Sequence, residues 1–294
     1  MAKAKARKFR LTTKTDVPLP LEALTSHHTD LLALFDRYDY LPWPWLHALH
    51  PGKLNENYFG RLCRRMMKEP NKLLVLPDGQ ISGSGLHQRH AVYARNGKRR
   101  QRYDDHNLLI NIIRASLELG SREHGYRLIH WKDILGNPRL DPRHRDELNK
   151  RRTVFLELSS AEDYEPDDCI IIDYGNDRYR YLFIEADRGT EPLTSKLSIR
   201  RKTIESMFDQ IRTISEKKLF RQLGFTHALF LVVTTDPIRM RSMIELEPPR
   251  YVLFQSMPDW CPFPTTCLLE RPWEVSGEAA FTLKEPPNGA VRKV

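Results

Sequence analysis

Between Pro166 and Lys196 the chain carries two short apolar runs, Cys169 to Ile172 and Tyr181 to Ile184, separated by Gly175-Asn176-Asp177. Runs rich in β-branched and aromatic residues on either side of such a turn signal predict an antiparallel hairpin. Carboxylates flank the runs: Asp167 where the first strand enters, Glu185 and Asp187 where the second leaves. Residues two apart on a strand share a face, so Glu185 and Asp187 should point the same way, with Asp167 beside them across the ladder. Carboxylates converging at one end of a hairpin offer the hard oxygen ligands that Mg²⁺ or Mn²⁺ prefers, leaving room for water and a phosphate. All three are candidate metal ligands, and a phosphodiester is the implied substrate.

Downstream, Thr190-Glu191-Pro192 is expected to start a helix whose apolar positions Ile204, Met207, Phe208 and Ile211 recur at helical spacing. Lys196 would lie near its beginning, a candidate to stabilise charge on a phosphorane or to position the attacking group. Charged residues also commonly end strands, and Asp187-Arg188-Gly189 has a plainer reading as a solvated turn.

Pro166-Asp167, a strand turn, then Glu185-x with Lys or a substitute resembles the PD-(D/E)xK pattern of restriction-endonuclease-like proteins. More narrowly, Phe183-Ile184-Glu185-Ala186-Asp187-Arg188-Gly189-Thr190 is similar to the signature of the replication-relaxation family. That family joins an N-terminal winged helix to a nuclease-like core and occurs on plasmids and other mobile elements, and a clade of plasmid mobilisation relaxases is thought to share the core. The resemblance implies that Asp167 and Glu185 are its two carboxylates. Asp187 then stands where an orthodox nuclease has Lys, so the catalytic Lys is either displaced, with Lys196 the best candidate, or absent. A His near the start of the core's first helix is a further feature of the pattern; here it would be His106, whose plainer role is a structural hydrogen bond.

Formal net charge of +9 favours a polyanionic partner, nucleic acid first. Cys63, Cys169, Cys261 and Cys267 form no Cys-x-x-Cys pair, the basic start lacks the apolar core of a signal peptide, and no apolar run approaches the ~20 residues of a membrane span. A cytoplasmic location, off the membrane, is the expectation.

The expected fold class is α/β (α+β), an N-terminal winged helix-turn-helix followed by a restriction-endonuclease-like α/β core. Residues 1–22 read as a flexible basic arm and 23–94 as the DNA-binding domain. In the latter, Leu31, Leu34, Phe35 and Tyr38 line a first helix, Pro42-Trp43-Pro44-Trp45 opens a second, and Asn55 caps a third. The third helix carries an apolar stripe, Phe59, Leu62, Cys63 and Met66, nearly opposite a basic one, Arg61, Arg64, Arg65 and Lys68. A strand over 72–76, a Pro77-Asp78-Gly79 turn and a polar run would form the wing. In such modules the third helix enters the major groove, which makes Asn55, Asn57, Tyr58 and Arg61 candidate base readers, with Lys53, Arg64, Arg65 and Lys68 on phosphates; the alternative is a solvated basic face.

Residues 95–103 form a basic linker in which Arg95, Lys98, Arg99, Arg100 and Arg102 are candidate phosphate contacts, as is Arg188 in the core. The core is expected over 104–257: an amphipathic helix with Leu109, Ile112, Ile113 and Leu117 inward, strands over 126–131 and 153–158 separated by a polar insertion, the hairpin and its helix, a β-rich run over 226–234, a helix from Asp236-Pro237, and a last strand over 251–255. Residues 258–294, punctuated by proline, read as an irregular flap and disordered tail.

These readings converge on a DNA-binding protein of a mobile element that nicks or cleaves double-stranded DNA, at an origin or operator site, with Mg²⁺ or Mn²⁺. No His-hydrophobic-His motif of ordinary relaxases occurs, which favours activated water over Tyr174, Tyr179 or Tyr181 as nucleophile. The alternatives are a catalytically inactive winged-helix regulator of replication or transcription, and an RNA-processing or defence nuclease. A symmetric operator would call for a homodimer, though no coiled-coil heptad is visible.

Overall fold

The computed structural model describes residues 24–68, 71–77, 91–97, 104–136, 140–151, 153–159, 161–194, 203–258, 267–276 and 281–287. The basic arm, the tip of the expected wing, Lys98, Arg99, Arg100, Arg102, Lys196 and Cys261 lie outside the described residues. The chain divides into two units, Met1–Ala115 with Asp259–Thr265, and Ser116–Pro258 with Thr266–Val294.

In the first unit α1 (Ser26–Arg37) is followed by β1 (Tyr40–Pro42), α2 (Trp43–Leu49), α3 (Glu56–Met66), β2 (Leu74–Val75) and β3 (Val92–Arg95). Strand β3 lies between β1 and β2 and runs antiparallel to both. The helices form where the sequence places caps. Asn55 has extended backbone and accepts the Tyr58 amide at 2.9 Å, while Pro44 falls in the first turn of α2, where a missing N–H costs nothing. Their apolar stripes are inward: Leu31, Leu34 and Phe35 of α1, Trp45, Leu46 and Leu49 of α2, and Phe59, Leu62, Cys63 and Met66 of α3 are buried.

Helix α4 (Asp105–Glu123) contains the division between the units. The second unit continues with β4 (Arg127–His130), α5 (Trp131–Ile134), α6 (Pro142–Arg151), β5 (Leu156–Ser159), β6 (Glu162–Tyr164), β7 (Asp168–Asp173), β8 (Tyr179–Asp187), α7 (Ile204–Glu216), a 3₁₀ turn (Leu219–Leu223), β9 (Leu229–Thr234), α8 (Pro237–Ile244) and β10 (Val252–Ser256). Mixed α/β architecture, with eight α-helices among the described residues, is the result.

The hairpin nucleates the main sheet, ordered β10-β9-β8-β7-β4. Its turn places Gly175, Asn176 and Asp177 at φ 78°, 54° and 58°, a left-handed run that Gly and Asn tolerate best. β7 pairs antiparallel with β8 and β4, whereas β8, β9 and β10 run parallel. On one face Cys169, Ile171, Tyr181, Phe183, Phe230, Val232 and Phe254 join Met207, Phe208 and Ile211 of α7 in a single apolar cluster. Each such side chain fully buried contributes roughly 1.5–3 kcal/mol relative to exposure.

Two local expectations are corrected. The helix after the hairpin begins at Ile204, not at Thr190, because Thr203 and Ser206 close a reciprocal capping box. The polar insertion contains α6, whose His144 and Leu148 are buried. The Pro-rich end also departs from a disordered tail. Leu268, Leu269, Trp273 and Leu283 are buried, Glu274 bridges Phe254 at the β10 edge, and the Leu268 amide donates to the Ser116 hydroxyl at 2.9 Å. A proline-rich sequence does not prevent packing there. No helix among the described residues is long and apolar enough to cross a membrane.

Candidate functional site

At the end of the hairpin the last pair of the β7–β8 ladder is Asp168 with Ile184. One step further brings Asp167 opposite Glu185. The Asp167 Oδ2 accepts the Ala186 amide at 2.7 Å, which fixes that carboxylate against β8. Alternation along β8 puts Phe183, Glu185 and Asp187 on one face. The register therefore places Asp167 across from Glu185.

Glu185 is only 5% exposed, and its Oε1 accepts from the Tyr164 hydroxyl at 2.6 Å. Tyr164, the last residue of β6, is buried against Phe183 and Phe230. Burial, then the neighbouring Glu185 carboxylate, push its phenol well above the ordinary range, so it stays protonated and donates. A carboxylate has about four lone-pair sites, so it can accept protein donors and still coordinate a cation. Both fit the oxygen-donor set of a hard divalent ion.

Asp187 has a different fate. Arg239, at the start of α8, grips it bidentately, Nε to Oδ2 at 2.6 Å and Nη2 to Oδ1 at 2.9 Å. Thr234 Oγ1, its lateral neighbour on β9, and the Gly189 amide also donate to Oδ2, at 3.0 and 3.1 Å. Both oxygens of a side chain 6% exposed are thus satisfied by protein donors, and Asp187 is corrected from candidate metal ligand to the acceptor of a buried ion pair. Arg239 further donates to the Glu191 carbonyl, tying the segment after β8 to α8. Arg188 follows, half-buried. Neither Tyr164 nor Arg239 carries a local signal; only the sheet brings them to β8.

In the first unit Lys53, Asn57 and Arg61 are exposed and Arg64, Arg65 and Lys68 half-buried, on the side of α3 away from its apolar stripe. Tyr58 is 39% exposed. Asn55 is corrected from base reader to cap, since its side-chain oxygen holds the Tyr58 amide. Arg95 pairs with Asp36 at 3.1 Å, both largely exposed, an arrangement worth at most ~1 kcal/mol. His106 lies in the first turn of α4, its amide donating to Asp104 Oδ1 at 2.9 Å.

Among the described residues, the group of metal-ligating side chains close enough to share an ion is His27, Asp30 and His50, whose ligand atoms all lie within 4.8 Å of one another. This group could hold a metal ion. The i, i+3 spacing of His27 and Asp30 was a visible signal; the approach of His50 was not.

No family model, no curated protein and no solved structure matches the chain.

Proposed function

We propose that the chain is a DNA-binding protein of a plasmid or other mobile element, with a winged helix-turn-helix in its first unit and a PD-(D/E)xK nuclease-like core of the replication-relaxation kind in its second. The observation that carries this reading is the placement of Asp167 across from Glu185 at one end of the β7–β8 hairpin, within an element order that runs α4-β4-β7-β8-α7-β9 once α5, α6, β5 and β6 are set aside as an insertion between β4 and β7. That helix, three strands, helix, strand order supports a nuclease-like core, with β5 and β6 as an inserted hairpin.

Asp167 and Glu185 would hold Mg²⁺ or Mn²⁺; bound there, the ion supplies a Lewis acid for a phosphate oxygen and a water of lowered pKa. The chain's own residues set that position. Ala186 N–H holds Asp167, Tyr164 holds the Glu185 carboxylate, and the Asp187–Arg239 pair anchors the strand end beneath them. In the first unit, three helices with a β1-β3-β2 sheet support the winged-helix reading. Asn57, Tyr58 and Arg61 of α3 would then meet base edges, with Lys53, Arg64, Arg65 and Lys68 on phosphates.

A second reading, a regulator with an inactive core, is favoured by one observation: the place of the nuclease Lys is taken by an Asp that Arg239 already neutralises.

The test is relaxation of supercoiled plasmid carrying an origin region, with Mg²⁺ or Mn²⁺ against EDTA, comparing the wild type with Glu185→Ala. Metal-dependent nicking that falls to background in the variant supports the nuclease. Duplex binding that is equal in both proteins, with no cleavage under either metal, supports the regulator.

A further inference from the structure

We propose that His27, Asp30 and His50 form a binding site for a transition-metal cation of the Zn²⁺ class, joining the start of α1 to the end of α2. This site is separate from the carboxylates of β8 and does not depend on the DNA-binding reading.

The donor set comes first. Two imidazoles and one carboxylate suit Zn²⁺ or a neighbouring first-row ion and not Mg²⁺, which prefers oxygen throughout. His27 and Asp30 lie on successive turns of one face of α1, and His50 is the residue that ends α2, with all three ligand atoms within 4.8 Å of one another.

The state of each ligand points the same way. The His27 Nδ1 is buried and has no hydrogen-bond partner, an orphan polar atom of the kind a bound ion explains. Asp30 makes no hydrogen bond or ion pair among the described residues. The His50 Nε2 lies 3.0 Å from the His27 carbonyl, which can only accept, so Nε2 carries the proton and Nδ1 keeps the lone pair. A second-nitrogen bond to a backbone carbonyl is how metal-bound histidines are usually oriented.

Backbone approaches the two rings closely at Gly52. The Gly52 amide donates to His50 Nδ1 at 3.1 Å, and a Cβ placed on Gly52 would stand 2.9 Å from His27 Nδ1 and 3.0 Å from His50 Cε1. Only glycine lets the chain pass so near both rings without displacing them. An ion there would replace one amide hydrogen bond with two imidazole bonds and a carboxylate bond. Water would complete a tetrahedral set.

Tyr58 stands edge-on to His27 at 6.1 Å and Phe59 edge-on to His50 at 5.7 Å, so the first turn of α3 packs directly on the two ligands. Loading the site therefore clamps α1, α2 and the entry to α3 together.

The experiment uses the full chain, stripped with a chelator and titrated with Zn²⁺ by calorimetry and with Co²⁺ by visible absorption. The expected result is one Zn²⁺ per chain, a Co²⁺ d–d spectrum of four-coordinate type, no competition from Mg²⁺, and a rise in the melting temperature on loading. Asp30→Asn and His27→Gln should each weaken binding at least about tenfold while the circular dichroism of the metal-free protein stays unchanged. Gly52→Ala keeps every ligand but crowds both rings, and should weaken binding similarly. Absence of stoichiometric Zn²⁺ binding would overturn the proposal, as would a Zn²⁺ affinity indifferent to Asp30→Asn and His27→Gln.

Discussion

The end of β8 and the corner between α1 and α2 each gather charged or ionisable ligands, yet they dispose of their lone pairs in opposite ways. At β8 the acceptors are met by donors from the protein itself: Arg239, Thr234 and Gly189 for Asp187, Tyr164 for Glu185, Ala186 for Asp167. At the corner His27 keeps a buried nitrogen with no partner, and Asp30 has no hydrogen bond or ion pair among the described residues. Residue type alone does not decide whether a carboxylate or imidazole is a ligand. What decides it is how far the fold has already supplied donors to its lone pairs, as it has at both oxygens of Asp187.

The sharpest way to break this contrast is Arg239→Ala. Removing one partner of a buried ion pair leaves an uncompensated charge, so the second unit should lose roughly 3–5 kcal/mol of stability, read as a shift in the urea unfolding midpoint at constant slope. A loss under ~1 kcal/mol would mean that solvent already reaches Asp187 and that it remains available to a cation. Tyr164→Phe comes next. It removes the buried hydroxyl that holds Glu185 and should cost about 1.5–3 kcal/mol, the usual range for a hydrogen bond to a charged group. If the same variant also raised the midpoint on adding Mn²⁺ more than the wild type does, the Glu185 oxygen would be shown to pass from phenol to metal.

The smallest effect is graded with pH. Burial lowers the pKa of His28 and His50 in the first unit and of His144 and His227 in the second, all from an ordinary value of 6.5. Below pH 6.5 the unfolded chain takes up protons that the folded chain refuses, so stability is fully present above that value and declines as pH falls. Melting temperatures should therefore drop progressively between pH 7.5 and 5.5. With Zn²⁺ present the first unit should fall more steeply, because metal affinity drops as protons compete for the ligands; parallel curves with and without the ion would argue against the corner site.

Much of the β8 site was legible because hairpins are local. The Gly175-Asn176-Asp177 turn fixes the register, and register alone puts Asp167 across from Glu185. The cap and stripe of α3 were legible for the same reason, since Asn55, Phe59, Leu62 and Met66 lie within three turns of one helix. Arg239 was not, because nothing in its own surroundings distinguishes it from an exposed helix arginine until β9 and α8 fold back beside β8. Trp273 and Leu283 were lost in the Pro-rich end, where broken periodicity says nothing of whether an aromatic or leucine is covered. The helix after the hairpin was placed too early because Glu191-Pro192 imitates a first turn, while the true capping box is Thr203 with Ser206.

The parallel pairing of β8 with β9 has a consequence for how the chain is made. β7 and β8 can close as soon as they leave the ribosome, but β9 reaches the other edge of β8 only after α7 has been synthesised. For that interval Leu182, Phe183 and Ile184 present an apolar edge with unpaired amides, the kind of surface on which nascent chains stick to one another. Glu185 and Asp187 sit at the end of that edge as like charges still in water. Charges flanking an apolar strand disfavour such sticking, and these two are later taken up by Tyr164 and Arg239.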